Sequence, residues 1–356
     1  NKIIKSIFLF NLFCNFINKT KTFYYYQPTK TTIMKKLLKL KVFAIILFAI
    51  VFVSCDNNDD VPMPADNTIT GLAVKNPNLK ILVQALTRAE LATTLQGTGP
   101  FTVFAPTDAA FTAFLKTTQY ATINDVPKDV LTQILLNHVV SGSVKSTALT
   151  TGYIKTLAKG SASVTNTLSM YVDITSSVKL NGVANVTIAD VIASNGVIHV
   201  VDAVIGLPTI VTHALANKNF SSLVSALTGA GQPDFVTILS GTGPFTVFAP
   251  TNTAFTAFTA LNAELAPGGI ASVSAANLTK VLQYHVVSPA NVLAATLTEG
   301  QMVTPILTPA QKFTIQLTGG AKIKDANNRL SNIIITDVQC ANGVIHAVDR
   351  VLLPVL

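Results

Sequence analysis

The sequence predicts an α+β protein built from two tandem copies of one unit. The block GTGPFTVFAPT occurs unchanged at 97–107 and 241–251, and the block NGVIH occurs at 195–199 and 342–346. In both copies helical patterns come first and β-branched segments come later, which is typical of an α+β rather than an alternating βαβ domain. The repeat length of about 145 residues is that of a whole domain, so we expect a duplicated domain rather than a solenoid.

Each copy is predicted to contain three helices. Apolar residues spaced i, i+3, i+4, i+7 indicate the first helix, and a Thr followed by Asp or Asn supplies the N-cap of the second. The third is an apolar segment that runs into His-Val-Val, at 130–140 and 278–287. The apolar stripes of the first two helices are Leu79, Leu82, Val83, Leu86 and Phe111, Phe114, Leu115 in copy one, and Phe220, Leu223, Val224, Leu227 and Phe255, Phe258, Leu261 in copy two.

A short strand is predicted between the first two helices, at 101–104 and again at 245–248. Because side chains alternate along a strand, most of this aromatic block should pack into the core, although its rim could touch a ligand. The flanking prolines are expected to end the strand. The structural motif residues predicted here are Pro100, Phe101, Phe104, Pro106, Pro244, Phe245, Phe248 and Pro250. Later strands are expected within 164–180, 183–204, 313–317 and 333–351.

The net charge of +8 comes from the N-terminal part of the chain. Nine of the 25 Lys and Arg precede Cys55, and none of the 17 Asp and Glu do. From residue 56 onward, sixteen basic residues therefore face seventeen acidic ones, a net charge of −1. Without a basic surface to neutralise phosphates, we expect no nucleic-acid partner.

Residues 34–54 have the parts of an export signal. Met34 is followed by lysines and by an apolar run at 42–53, which is too short to span a bilayer. The residues FVSC at 52–55 resemble a bacterial lipobox, which implies that Cys55 is acylated, although Phe52 replaces the usual aliphatic residue. The alternative is a plain signal peptide beside an incidental cysteine.

The sequence divides the chain into five segments. Residues 1–33 begin with Asn1, and we expect them to be an over-extended reading frame, or else a longer start of the signal. Residues 34–54 are the lipoprotein signal and 55–66 an acidic tether, of a kind that in Bacteroidetes lipoproteins looks like a signal for surface display. The two domains are predicted at 67–206 and 207–356, with so short a junction that motion between them should be restricted.

Three ordered motifs, each present twice, resemble the fasciclin domain. They are GPFTVFAPTDAAF at 99–111, HVV at 138–140 and NGVIHVVDAVI at 195–205, with counterparts at 243–255, 284–287 and 342–352. The resemblance implies domains in which a twisted β-wedge is flanked by helices and which act in extracellular adhesion. It implies a candidate adhesion segment, Asn137, His138, Val139 and Val140 in copy one and Tyr284, His285, Val286 and Val287 in copy two. The family usually has Tyr-His here, so Asn137 suggests different binding surfaces in the two copies.

Neither a metal site nor a catalytic site is expected. Each repeated motif holds a single histidine in an apolar run, which favours a buried neutral imidazole over a metal ligand. His199 and Asp202, like His346 and Asp349, are three residues apart, so on a strand they would face opposite ways and form no dyad. Beyond Cys55 only Cys340 remains, and no nucleophile motif or carboxylate pair is found. We therefore predict no cofactor and no enzyme activity.

These observations predict a lipid-anchored protein on the outer membrane and cell surface of a Gram-negative bacterium. It would act noncatalytically in adhesion or in attachment to an extracellular matrix or biofilm, with a protein or polysaccharide partner. The membrane would be reached through the lipid on Cys55, and the sequence leaves the oligomeric state open. The alternative function is binding of a small apolar ligand such as a carotenoid or lipid.

Overall fold

The structure, a computed structural model, describes residues 65–261 and 273–356. Residues Ala65–Leu356 form a unit with cores of its own. No helix among the described residues is long and apolar enough to cross a membrane. The predicted lipidation site Cys55, the export signal and the tether up to residue 64 lie outside the described residues.

The first domain begins with helices and ends with strands. Its helices are α1 (Ile69–Lys75), α2 (Lys80–Arg88), α3 (Ala92–Gln96), α4 (Asp108–Lys116) and α5 (Lys128–Leu136), with a 3₁₀ turn at Ser146–Ala148. Its strands are β1 (Phe101–Pro106), β2 (Val139–Ser141), β3 (Gly152–Gly160), β4 (Ser163–Asp173), β5 (Lys179–Leu180), β6 (Ala184–Ala193) and β7 (Gly196–Val201).

The second domain repeats this order. Its helices are α6 (Ile210–Ala216), α7 (Ser221–Leu227), α8 (Phe235–Ser240), α9 (Asn252–Leu261) and α10 (Ala275–Tyr284), with 3₁₀ turns at Lys218–Phe220 and Ala294–Thr296. Its strands are β8 (Phe245–Pro250), β9 (Val286–Val287), β10 (Met302–Val303), β11 (Phe313–Gln316), β12 (Lys322–Lys324), β13 (Leu330–Cys340) and β14 (Gly343–Val348). The α+β class predicted from the repeat is confirmed.

Each domain has one seven-stranded sheet with the same topology. The order is β2-β1-β7-β6-β5-β4-β3 in the first domain and β9-β8-β14-β13-β12-β11-β10 in the second. The β1–β7 and β8–β14 pairs are parallel, and the other pairs are antiparallel. The two repeated sequence blocks therefore lie side by side, on the second and third strands of each sheet.

Strand β1 in the first domain and strand β8 in the second each lie between two cores. Val103 and Ala105 pack against the helices, while Phe104 packs on the opposite face with Met170 and Val172. In the second domain Val247 and Phe248 divide in the same way. This alternation along the PFTVFAP block is as predicted, and Phe101 and Phe245 are partly buried at its start.

The strand ends at Pro106 and Pro250, as predicted, but it runs two residues beyond the predicted spans 101–104 and 245–248. The strand includes both prolines, which lie opposite Val201 and Val348. The backbone N–H groups of Phe101 and Thr107 face β7, so the position of Pro106 faces the other neighbour, β2. Because β2 pairs only with residues as far as Val103, no hydrogen bond is lost where proline has no N–H.

The second helix predicted in each copy is α4 in the first domain and α9 in the second. Of the Thr and the following Asp or Asn expected to cap it, only the Thr does so. Thr107 caps α4 by accepting a hydrogen bond from Ala110 N (3.2 Å), as expected. Asp108 is already helical, and its carboxylate accepts from Ile81 N at the start of α2 (2.8 Å). Asn252 makes the equivalent bond with Ser222 N (2.9 Å). The Asp or Asn thus ties two helices together and does not cap its own.

The β3–β4 hairpin of the first domain, of which the sequence analysis predicted only β4, packs on β13 of the second. Lys155 Nζ donates to Asp337 O (2.8 Å), and Gln339 N donates to Ser169 Oγ (3.0 Å). At the hairpin turn, Ala162 N donates to Ala341 O (2.9 Å). The domain boundaries at 206 and 207 and the restricted motion expected from the short junction stay predictions, and these contacts between the domains favour the latter.

Candidate functional site

The predicted adhesion segment lies between α5 and β2 in the first domain and at the α10–β9 connection in the second. Its histidine hydrogen-bonds to the backbone near the C-terminal end of each domain. In the first domain His138 Nδ1 donates to Ile134 O (2.8 Å), and its Nε2 accepts from Ile205 N (2.9 Å). His285 makes the same pair of bonds with Val281 O (2.7 Å) and Leu352 N (2.9 Å). Burial lowers the pKa of both histidines to about 4, so both rings are neutral at pH 7.

The residue before this histidine differs between the copies and has a different internal role in each. Asn137 Nδ2 donates to Gly206 O (2.9 Å), which ties α5 to the junction between the domains. In the second domain Tyr284 lies beside Phe313 in the core that contains Phe248, and its hydroxyl donates to Lys312 O (2.8 Å). Burial raises the pKa of Tyr284 to about 12.

The prediction that these residues themselves form a contact surface needs correction. All eight side chains of the segment are buried: Asn137, His138, Val139, Val140, Tyr284, His285, Val286 and Val287. Their apolar and hydrogen-bonding groups complete the cores, so a partner cannot touch them. The exposed residues that follow the segment are Ser141 at the end of β2, Ser143 and Lys145 in the next loop, and Ser288 and Pro289 in the second domain.

The second pair of repeated histidines holds the loop after β2 or β9 against the bulged strand. His199 Nε2 donates to Val144 O (2.9 Å), and its Nδ1 accepts from Asp190 N (3.2 Å). His346 bonds to Val292 O (2.8 Å) and Asp337 N (3.3 Å) in the same way. Each ring also stacks on the buried phenylalanine of the PFTVFAP block, at 5.5 and 5.4 Å between ring centroids.

The aspartate after each of these histidines makes a separate structural contact. Asp202 accepts from Asn185 N (2.7 Å) and Asn185 Nδ2 (2.8 Å), and Asp349 accepts from the same atoms of Asn332. Histidine and aspartate thus bond to different partners. The histidine and the aspartate of each pair stabilise separate parts of the sheet and do not form an acid–base dyad.

One pair of polar residues at equivalent positions, Asp190 and Asp337, was not predicted from the sequence. Asp190 lies in the β6 bulge and accepts hydrogen bonds from Ser146 N (2.8 Å) and Ser146 Oγ (2.5 Å), which lower its pKa. Asp337 accepts from Ala294 N in the second domain (2.8 Å). Both residues stand nine positions before the repeated histidine, and that repeated spacing was the signal available in the sequence.

The titratable side chains of the repeated motifs that the structure describes bond to neighbouring backbone and side-chain groups. Across residues 65–261 and 273–356, no three His, Cys, Asp or Glu side chains converge as metal ligands would. Cys340 is buried, and burial raises the pKa of its thiol, which disfavours the reactive thiolate. The motif side chains that could do chemistry are instead bonded to the backbone.

The described residues form an apolar pocket in the second domain and an open groove in the first. An apolar pocket of about 50 Å³ in the second domain lies between α6, α7, α8 and the sheet, lined by Ile210, Ala214, Phe220, Leu223 and Val247 among others. This is room for one or two water molecules. An open groove of about 530 Å³ in the first domain is lined by Ile81, Leu115 and Tyr120 with polar neighbours such as Gln84 and Asn124.

Comparisons with known proteins place the fold in a family. Synechocystis protein sll1483 is 42% identical over 138 residues, which cover 39% of this chain and 72% of that protein. The uncharacterised Synechocystis protein sll1735 is 36% identical over 149 residues, covering 41% of this chain and 98% of that protein. Human periostin is 27% identical over 274 residues, covering 75% of this chain and 30% of periostin.

Among solved structures, the domain pair of the insect cell adhesion molecule fasciclin I aligns with 80% of this chain and 96% of its own, with a TM-score of 0.44 and 18% identity. The fasciclin domain model matches residues 77–208 and 218–354, one match to each seven-stranded sheet and its helices. Since these matches together cover most of the chain, it belongs to the fasciclin domain family and carries two such domains in tandem.

Proposed function

We propose that this chain is a noncatalytic surface lipoprotein that mediates cell adhesion or attachment to an extracellular matrix or biofilm. Fasciclin domains occur in cell-adhesion proteins. The observation that carries the proposal is that the histidines and aspartates of the repeated motifs bond to the protein's own backbone and side chains. What remains for a partner is the exposed surface of loops and strand faces, which suits binding of a protein or polysaccharide.

The proposed contact surface is the pair of exposed loops that follow the adhesion segment. The loop after β2 is held in place by His199, Asp190 and Thr102, whose hydroxyl donates to Gly142 O (2.6 Å). The loop after β9 is held by the equivalent Thr246, which donates to Ala290 O (2.8 Å). Buried motif residues therefore act as positioning residues for the exposed ones.

In this proposal the chain is exported and held by a lipid on Cys55 at the outer membrane of a Gram-negative bacterium. The acidic residues 56–66 would serve as a tether between the lipid and the first domain. Display on the outer face would place both loops within reach of a matrix or another cell.

The test is attachment of a Gram-negative host that expresses the full chain to matrix-coated surfaces, together with labelling by an alkynyl fatty acid. We expect the label on the wild-type chain. Cys55→Ala should lose the label, release the protein into the medium and reduce attachment to the level of the host alone.

A second variant separates binding from anchoring. Lys145→Glu changes an exposed residue in the first loop and should reduce attachment while the label and surface display persist. Lys80→Glu, an exposed lysine on α2, is the matched control and should attach as wild type does. Unchanged attachment when the protein is released, or no fatty-acid label, would contradict the proposal.

The second candidate function, binding of a carotenoid or lipid, is favoured only by the open groove of about 530 Å³ beside Tyr120. The apolar pocket of about 50 Å³ is too small for such molecules. A coloured or lipid component that copurifies with the native protein, and that Tyr120→Glu removes, would support this function.

A further inference from the structure

Two surfaces meet at the interface between the domains, and each has an equivalent at the same place in the fold of the other domain. The first domain contributes its β3–β4 hairpin, and the second contributes a receiving face on α6 and β13. Since both domains share one topology, the first domain also has a receiving face and the second also has a hairpin edge. Within the described residues, neither of these copies meets the other domain.

In the occupied interface, Tyr153 on β3 is the aromatic anchor. Its ring packs against the core between the helices and the sheet of the second domain. It stands edge-on to His213, with 5.4 Å between ring centroids. Its hydroxyl accepts a hydrogen bond from Asn217 Nδ2 (3.1 Å). His213, Asn217 and Gln339 on the receiving face are buried as a result.

The unoccupied receiving face, here called the free face, consists of Asn76, Ile188, Ile192 and Ser194 of the first domain. Strand register equates Ile192, paired with Val197, with Gln339, paired with Val344. Gln339 is 1% exposed under the hairpin, whereas Ile192 is 60% and Ile188 54% exposed. Asn76 is the C-cap of α1 as Asn217 is of α6.

The unoccupied hairpin edge, here called the free edge, consists of Met302 and Thr314 of the second domain. Tyr153 pairs with Tyr171 in the first domain, and Met302 pairs with Thr314 at the same place in the second sheet. Met302 therefore occupies the position of the anchor Tyr153, and it is 62% exposed. The free face and the free edge therefore each expose an apolar side chain, Ile192 and Met302 respectively.

We propose that a second copy of this chain docks its free edge on the free face, repeating between molecules the contact made between the two domains. This surface joins unlike patches, so it would continue head to tail as a chain of molecules. The hairpin of the second domain is shorter, with residues 305–311 where the first has 156–168. The contact between molecules is therefore smaller and weaker than that between domains, and it forms where molecules are concentrated, as on a surface.

The experiment is sedimentation velocity of residues 56–356 over a wide range of concentration. Wild type should shift from monomer to species larger than a dimer as concentration rises. Ile192→Glu and Met302→Glu each place a charge in the contact and should each weaken association by roughly tenfold or more. Ile334→Glu changes an isoleucine that is 52% exposed and belongs to neither patch, so it should associate as wild type does.

Mixing the two variants distinguishes this geometry from a symmetric dimer. Ile192→Glu retains its free edge and Met302→Glu retains its free face, so an equimolar mixture should form a one-to-one dimer and stop there. A wild type that stays monomeric at every concentration, or a Met302→Glu chain that still dimerises by itself, would overturn the proposal. Unchanged thermal midpoints of the variants would show that they are folded.

Discussion

At the scale of single residues, the repeated histidines act as fixed donor–acceptor pairs in two tautomers. His138 and His285 carry the proton on Nδ1, because that atom faces a carbonyl oxygen while Nε2 faces a backbone N–H. His199 and His346 carry it on Nε2 for the same reason. Protonation of His138 or His285 would turn the accepting Nε2 into a donor that faces a backbone N–H. Neutrality of these two rings is thus a condition of the fold.

We therefore predict that the protein loses stability in mild acid. The pKa of His138 and His285 is lowered from 6.5 to about 4 by burial, so the unfolded chain binds more protons than the folded one between these values. The free energy of unfolding should fall as pH drops from 6.5 towards 4, by about 1.4 kcal/mol per pH unit for each such histidine. Urea unfolding at a series of pH values measures this slope.

His285→Gln provides the control for that slope. Glutamine cannot take up a proton, so the variant should be less stable than wild type at pH 7 but should lose less stability on acidification. An identical slope in wild type and variant would mean that the buried histidine is not responsible.

At the scale of elements, the turn between β12 and β13 holds the C-terminal segment by a buried ion pair. Asp325 Oδ2 accepts from Arg329 Nη2 (2.8 Å) and from Leu353 N (3.1 Å), and its Oδ1 accepts from Arg329 N (3.0 Å). Arg329 Nη2 also donates to Val351 O (2.6 Å). The side chain of Asp325 is fully buried, so its charge depends on these partners.

We predict that Asp325→Ala destabilises the second domain by about 3 kcal/mol, because it removes the counter-charge of a largely buried guanidinium and leaves the backbone N–H of Leu353 unpaired. Glu90→Ala is the matched control, since the pair of Glu90 with Lys128 is exposed and should contribute less than about 1 kcal/mol. Chemical denaturation of both variants gives the comparison. Equal losses in the two would contradict this account of the turn.

The element best predicted from the sequence is the PFTVFAP strand, β1 in the first domain and β8 in the second. Alternation predicts correctly that Val103 and Phe104 enter different cores, since it depends only on strand geometry. That Pro106 remains in the strand depends on where β2 ends, which is a tertiary fact. Strand β12 was not predicted, because Lys322, Ile323 and Lys324 are too few for a pattern to register.

At the scale of the whole molecule, the internal repeat predicts the fold that the two domains share but not the interface between them. The repeated motifs led to the duplicated fold because each copy supports the reading of the other. The domain interface could not be predicted, because its residues differ between the copies, as Tyr153 differs from Met302 and Gln339 from Ile192. The adhesion segment was misjudged because apolar sequence does not distinguish a buried segment from an exposed binding patch.

The interface should make the two domains unfold as one unit, and Gly160 offers a way to test this. A Cβ at Gly160 would overlap the backbone of Ala341 across the interface, so Gly160→Ala should force the hairpin off the second domain at a cost of about 1–3 kcal/mol. We expect scanning calorimetry to show one transition for wild type and two for this variant, because each domain keeps its own cores. Gly229→Ala, where the added Cβ meets its neighbours at ordinary contact distances of 3.5–3.8 Å, should keep the single transition. One unchanged transition in Gly160→Ala would mean that the hairpin contact does not couple the domains.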